Sequence, residues 1–289
     1  QVVDNNPLSY FGESMRKLLW QDHPYALSVG GTPEDIMAIT KEDVERFYEQ
    51  FYAPNNAILV LSGDIDIKTA KELAEKYYGK VKSRPVGKKA DFPKLSRRFK
   101  ADMQMRLEAA NAPRLVRTYL APSFNTDAGQ IYALSVFSKY LGEGENSKLY
   151  KNLVLKQKKA LAVSSSYDYA DRSYGTFTIA AVPAEGVSRE ELEKALDDAV
   201  AEAVSGINAA EVDKTKHKML AGLVYLKDNP NDAAYIAGML AAVDFSAEEI
   251  DNGDIHLRDV GYRDVKKAAD AILQAPAVNG WLLPLKEDD

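Results

Sequence analysis

The chain has 289 residues, 46% of them hydrophobic, and a formal net charge of −6 at pH 7. This length allows one or two domains with buried cores, and the acidic balance argues against a nucleic-acid-binding protein. The absence of cysteine excludes disulfides, thiolate metal sites and a cysteine nucleophile. No apolar run approaches the roughly 18 residues of a transmembrane segment.

Residues 1–79 form a front piece with helical and strand patterns. Val44, Phe47, Tyr48 and Phe51 fall on one face of a predicted helix that ends before Pro54. The apolar run 57–61 has the length of a strand, and a second amphipathic helix is predicted from residue 67 to a C-terminal glycine at position 79.

A basic linker follows at residues 80–98. The stretch from Lys80 to Lys100 contains nine basic residues and one acidic residue. Pro85, Gly87 and Pro93 interrupt it, which favours a solvated linker. The alternative is a basic rim that attracts acidic peptides or lipid head groups.

The back piece, residues 99–289, alternates between strand and helix patterns. Strands are predicted at residues 103–109, 115–120, 161–169 and 175–182, the last two joined as a hairpin. A helix is predicted from Asp127 to Leu141, and another begins at Ser188, with Glu191 completing a capping box. Helices segregated over a mainly antiparallel sheet predict an α+β fold with the helices on one face.

A stretch of about sixty residues is repeated within the chain. Asp4-Asn5-Asn6-Pro7 corresponds to Asp228-Asn229-Pro230. The second copy carries a full set of strands ahead of this motif, whereas only three residues precede it in the first copy. We therefore expect 1–79 to be the rear part of a first repeat that lacks its front half, and 99–289 to be a complete second repeat. The correspondence continues through residues 10–12 with 235–238, 33–36 with 247–250, 42–44 with 263–265, and 54–59 with 276–282.

Candidate catalytic residues are few. His23, His217 and His256 are the three histidines, and none lies in an HxxEH or HxxH setting. A catalytic zinc needs about three converging protein ligands, so we predict no metal site and no catalytic residue. There is also no Gly-x-Ser-x-Gly elbow, which leaves a serine hydrolase unsupported. Tyr167 and Tyr169 share one strand face and either hold an extended peptide or pack against a helix.

Many spaced motifs resemble the pitrilysin/insulinase family of zinc peptidases, in its processing-peptidase-like branch. The second group of motifs is similar to the part of the family called the peptidase inactive domain. The front motifs are His23-Pro24-Tyr25, Gly30-Gly31, Ile39-Thr40-Lys41-Glu42-Asp43, Phe47-Tyr48, Tyr52, Pro54-Asn55-Asn56-Ala57 and Ser62-Gly63-Asp64; the back motifs are Arg117-Thr118-Tyr119, Leu141-Gly142, Ser147-Lys148-Leu149-Tyr150, Leu161-Ala162, Gly175-Thr176-Phe177 and Glu211-Val212.

The resemblance implies where the catalytic groups of such a protein lie. Family members bind zinc through HxxEH and a distal glutamate, all upstream of the Asp-Asn-Pro motif. The segment equivalent to HxxEH in the second copy, 134–141, contains neither histidine nor glutamate. Many relatives grip the substrate with an arginine and, seven residues later, a tyrosine. The matching positions here are Lys156 and Val163. Valine has no hydroxyl, so we expect Lys156 and a neighbouring tyrosine, Tyr167, to contact the substrate.

The resemblance favours a fragment of a zinc-dependent metallopeptidase that hydrolyses peptides in a chamber between two halves and is inactive by itself. The alternative is a naturally non-catalytic structural or interaction subunit of the same fold. The expected partners are a peptide substrate and a homologous chain, in a homodimer or heterodimer. Zinc is expected in the full-length parent and no cofactor in this chain. The compartment stays open between bacterial periplasm, which the resemblance favours, and cytoplasm.

Overall fold

The computed structural model describes residues 6–89, 91–93, 95, 100–227 and 229–285. Parts of the predicted basic linker, residues 90, 94 and 96–98, lie outside the described residues. The helices are α1 (Pro7–Trp20), α2 (Pro33–Ala38), α3 (Lys41–Phe51), α4 (Ile67–Tyr78), α5 (Phe124–Gly142), α6 (Arg189–Ser205), α7 (Ala209–Lys227), α8 (Pro230–Ala242), α9 (Ala247–Asp251), α10 (Gly253–Asp259) and α11 (Tyr262–Gln274); the strands are β1 (Ala101–Leu107), β2 (Arg114–Ala121), β3 (Ala160–Asp168), β4 (Gly175–Pro183) and β5 (Ala277–Pro284).

Contacts group the chain into two compact units. Unit 1 comprises Gln1–Ala26, Lys94–Ala221 and Asn252–Asp289, and unit 2 comprises Leu27–Pro93 and Gly222–Asp251. The predicted division into 1–79, 80–98 and 99–289 concerns the two repeats and stays a prediction.

A five-stranded sheet forms the centre of unit 1. The strand order is β1-β5-β2-β4-β3. β1 runs parallel to β5, with Ala101 opposite Val278, and the remaining neighbours are antiparallel. The predicted hairpin is confirmed as β3 and β4, where Tyr167 lies opposite Phe177. The α+β prediction with a mainly antiparallel sheet is confirmed.

Helices α5, α6 and α11 cover one face of this sheet. The Phe137 ring of α5 stacks on Phe177 of β4, with 5.5 Å between the ring centroids. The predicted capping box begins α6, where the Glu191 amide donates to Ser188 Oγ at 3.1 Å. α5 begins at Phe124, earlier than predicted, and is interrupted at Asp127 by non-helical backbone angles. The apolar stripes of these helices make the larger core of the unit.

Helix α1 covers the second face of the sheet, in addition to the predicted helix layer. Its side chains Phe11 and Met15 pack on Val278 and Leu282 of β5. Gly280 lies between them, and a Cβ atom at that position would lie 2.2 Å from Met15 Sδ and 2.7 Å from Phe11 Cζ. The close approach of the helix therefore requires glycine at position 280.

The predicted repeat pairs α1 with α8, and these two helices lie in different units. α1 lies in unit 1, against the five-stranded sheet. α8 lies in unit 2 with residues 27–93, where a Cβ on Gly238 would lie 3.8 Å from Val60 Cγ2. Under the predicted repeat, each unit therefore contains segments of both copies.

Unit 2 leaves many of its large apolar residues exposed. The predicted strand 57–61 forms no strand, although its counterpart in the second copy is β5, paired on both sides. A strand needs a neighbour to accept its backbone hydrogen bonds, and none of the described residues supplies one. Ile58, Leu59 and Leu61 are 60%, 52% and 51% exposed. The apolar face of α3 predicted from Val44 and Phe47 is likewise exposed.

We expect Phe11→Ala to lower the free energy of unfolding of unit 1 by about 3 kcal/mol, since it leaves a cavity beneath α1. The matched control is Leu8→Ala on the same helix, where the side chain is 43% exposed and the expected loss is under about 1 kcal/mol. Urea unfolding followed by tryptophan fluorescence measures both. Equal losses would contradict the packing of α1 on the sheet.

Candidate functional site

Tyr167 is held inside unit 1 by its hydroxyl. Its Oη donates to the Pro122 carbonyl at 2.6 Å, and its ring lies against those of Tyr169 and Phe177. Burial raises the pKa of Tyr167, so the phenol stays protonated. Of the two interpretations left open by the sequence, this geometry favours packing over peptide contact.

The two positions that match the family's substrate grip lie in different settings. Val163 is buried in the larger core, on the face of the sheet covered by α5, α6 and α11. Lys156 is exposed at the end of a π-helical segment, Tyr150–Lys156, and lines a cavity that Tyr167 does not line. The structure therefore does not bring Lys156 and Tyr167 together around one cavity, and their role as substrate contacts stays a prediction.

A buried polar cluster joins the end of α1 to the β3–β4 hairpin. His23 Nδ1 accepts from the Tyr25 amide at 3.1 Å, which leaves Nε2 protonated to donate to Ser173 Oγ at 2.9 Å. Burial lowers the pKa of His23, so the ring is neutral. Burial, with the charge of Asp168, raises the pKa of Asp171 to about 6. The cluster therefore connects the end of α1 to the hairpin. It also contains one carboxylate, that of Asp171, whose charged form is destabilised by burial.

Two adjoining cavities lie beside Tyr140 near the end of α5. One has a volume of about 350 Å³ and the other of about 70 Å³, and both are lined by Tyr140, Lys148 and Lys151. Tyr140 Oη donates to the Ala203 carbonyl of α6 at 2.8 Å, which holds the side chain in place beside both cavities. We call these cavities and the lysines that line them the lysine cleft. Those lysines are Lys139, Lys148, Lys151, Lys156, Lys214 and Lys218.

The lysine cleft was missed by the sequence analysis, which identified only Lys156 within it. Lys214 and Lys218 are one helical turn apart on α7, a spacing that places both on one face. That pattern is visible in the sequence, but a solvated helix face produces it as well. The cavities exist because α5, α6, α7 and the π-helical segment meet, which no local pattern predicts.

The residues present do not fit a zinc site. His23 is committed to Ser173 and Tyr25, and His256 lies against the Tyr132 ring at 5.3 Å. His217 Nδ1 lies 2.7 Å from a main-chain carbonyl oxygen of its own helix. Within the described ranges there is no group of three or more histidine, aspartate or glutamate side chains placed to hold a metal ion. That part of the chain also contains no helix long and apolar enough to cross a bilayer.

Fold and site together define the class: an α+β domain whose described residues form no metal site. The model of the family described as Peptidase M16 inactive domain matches residues 38–219, and the chain belongs to this family. The zinc protease PqqE of Helicobacter pylori is 27% identical over 245 residues, which are 83% of this chain and 53% of that protein. The chain thus spans about half the length of this relative.

Solved structures show the same fold. The crystal structure of a protease from Helicobacter pylori has a TM-score of 0.83 at 22% identity and covers 98% of this chain and 68% of that chain. The crystal structure of the peptidase M16 inactive domain from Pseudomonas fluorescens matches with a TM-score of 0.83 at 20% identity. This match includes 99% of the present chain and 68% of the Pseudomonas chain. The resemblance to zinc peptidases of the insulinase family, stated from the motifs, is confirmed.

The raised pKa of Asp171 predicts a pH-dependent effect of Asp171→Asn. The folded state holds the proton more tightly than the unfolded state, whose pKa is near 3.8, so the carboxylate destabilises the fold progressively as pH rises from about 4 through 6. We expect the variant to be more stable than the parent by about 1–2 kcal/mol at pH 7.5, a value discounted for partial exposure, and equal to it below pH 4.

Thermal or urea unfolding at both pH values tests this. Asp270→Asn, at an exposed position of α11, serves as the control for the loss of one carboxylate, and its effect is subtracted at each pH. His23 titrates in both proteins, so its contribution cancels in the difference. A gain for Asp171→Asn that is the same at pH 4 and pH 7.5 would contradict the raised pKa.

Proposed function

We propose that this chain is the rear part of a zinc-dependent peptidase, and that the zinc ligands and the first half of its metal-binding repeat are supplied by polypeptide outside it. Under this proposal the chain alone hydrolyses no peptide. Its second repeat forms the half of a peptide-binding chamber that lies opposite the metal-binding half. The names of its relatives and the motifs of the first repeat support this function.

The observation that carries the proposal is the open apolar surface of unit 2. The segment 57–61 corresponds by repeat to β5, which has one parallel and one antiparallel neighbour. Three of its large side chains are more than half exposed. Burying such residues contributes about 1.5–3 kcal/mol each, so their exposure favours a missing sheet in which 57–61 is a central strand.

Lys156 is the residue we propose for peptide contact. Its ammonium group is exposed and adjoins the larger cavity of the lysine cleft, where it can bind a carboxylate or carbonyl of a peptide. Lysine lacks the planar fork of arginine, and Val163 offers no hydroxyl. A homologous chain that carries arginine and tyrosine at these positions is therefore the partner we propose for full activity.

The test compares this chain with a protein extended at its N-terminus by the natural preceding residues. Amide hydrogen exchange is measured for 57–61, with β2 as the internal control. We expect the amides of 57–61 to exchange quickly in this chain and to be protected in the extended protein, while β2 is equally protected in both. Elemental analysis should find about one zinc per extended chain and no stoichiometric zinc in this one.

Peptide hydrolysis by the same two proteins completes the test. Only the extended protein should cleave an unfolded peptide, and the addition of the homologous chain should increase its rate. Protection of 57–61 in this chain as a monomer would contradict the missing sheet. An extended protein that protects 57–61 but binds no zinc would overturn the peptidase proposal and leave a non-catalytic subunit.

A further inference from the structure

We propose that the lysine cleft binds a carboxylate-rich peptide segment. It lies entirely within unit 1 and shares Lys156 with the peptide contact proposed above. Lys214 and Lys218 have no part in that contact, so a variant at these two positions tests the lysine cleft separately from the peptidase proposal. The inference rests on three observations: unpaired charge, the shape of the cleft and the kind of cation that lines it.

The first observation is an excess of unpaired positive charge. Three carboxylates line the cleft, and each has a partner: Glu143 pairs with Lys139, Glu211 with Lys148 at 3.1 Å, and Glu202 accepts from the Asn152 amide at 2.6 Å. The cleft lysines that remain have no carboxylate partner among the described residues; they are Lys151, Lys156, Lys214 and Lys218. The Asn152 amide is neutral and leaves the charge of Glu202 in place, so six lysines and three glutamates give the cleft a net charge of +3. This excess on a chain of net charge −6 favours an anionic ligand.

The second observation is the elongated shape. Tyr140 lines both cavities, with Lys148 Nζ 5.2 Å from its ring centroid. Lys214 and Lys218 line only the smaller cavity, on α7, whereas Lys156 lines only the larger one. The cations are thus spread over two adjoining cavities. An extended peptide advances about 3.3 Å per residue, so a segment of several residues can contact lysines of both.

The walls of the larger cavity suit a peptide main chain. Ala199, Ala203 and Gly206 present little side-chain bulk there, so a backbone can approach closely. The Asn152 side chain is held by Glu202, and the Tyr140 hydroxyl is committed to Ala203. These groups shape the cavity, and the lysines at its margin provide the charge.

The third observation is that the cations are lysines. A lysine ammonium is a point charge with three donors, which suits separate carboxylates along a chain. The planar fork of arginine matches carboxylate and phosphate alike, and no arginine lines either cavity. Lysines at several separate positions favour carboxylates spaced along a chain over one compact anion held by a bidentate guanidinium.

The experiment measures fluorescence anisotropy of a labelled octapeptide of glutamate with this chain at low and at physiological salt. We expect saturable binding that weakens as salt rises. Lys151→Glu with Lys156→Glu, and separately Lys214→Glu with Lys218→Glu, should each raise Kd at least about tenfold, because both cavities contribute. The control is Lys266→Glu with Lys267→Glu, an exposed pair on α11 that changes the net charge equally and should alter Kd less than about twofold.

Three outcomes would overturn the proposal. One is no binding of the octapeptide at millimolar chain concentration at low salt. Another is an equal loss of affinity in the α11 control, which would mean attraction by net charge alone. The last is displacement of the peptide by tripolyphosphate at concentrations below those of unlabelled octapeptide, which would indicate a phosphate site. Circular dichroism and thermal unfolding of each variant establish that the fold is intact.

Discussion

The contact of α1 with the second face of the sheet is the interaction on which unit 1 depends. β5 is a central strand, paired with β1 and β2, and its face toward α1 carries Val278 and Leu282. Without the helix these apolar side chains would face water, at a cost of about 1.5–3 kcal/mol each. Gly280 allows the contact because Phe11 and Met15 occupy the space that a Cβ would need.

The predicted repeat gives this contact a further consequence. It assigns α1 to the first copy and the sheet that α1 covers to the second, while α8, the predicted counterpart of α1, lies in the other unit. Under this prediction each unit contains part of both copies. Unit 2 contains α8, but among the described residues it contains no strand to pair with 57–61. Its exposed apolar residues are the basis of the proposed function.

Local patterns predicted much of unit 1. Alternation of apolar residues predicted the β3–β4 hairpin, and Ser188 with Glu191 predicted the start of α6. The same reasoning failed where the outcome depends on distant residues. The run 57–61 has the composition of a strand but has no neighbouring strand among the described residues. Gly142 ends α5, where a Cβ atom would lie only 2.4 Å from the Ser165 nitrogen, a contact between distant residues that no local pattern predicts. The lysine cleft likewise forms only after four segments meet.

A double-mutant cycle at Gly280 tests the packing of α1 on β5 most directly. A Cβ atom at this position would lie 2.2 Å from Met15 Sδ and 2.7 Å from Phe11 Cζ, so Gly280→Ala should lower the free energy of unfolding by about 1–3 kcal/mol. The Phe11→Leu with Met15→Ala background removes the atoms that a new Cβ would meet, and there the same Gly280→Ala change should cost less than about 1 kcal/mol. Urea unfolding of the four proteins measures this difference. An equal cost of Gly280→Ala in both backgrounds would contradict the packing of α1 on β5.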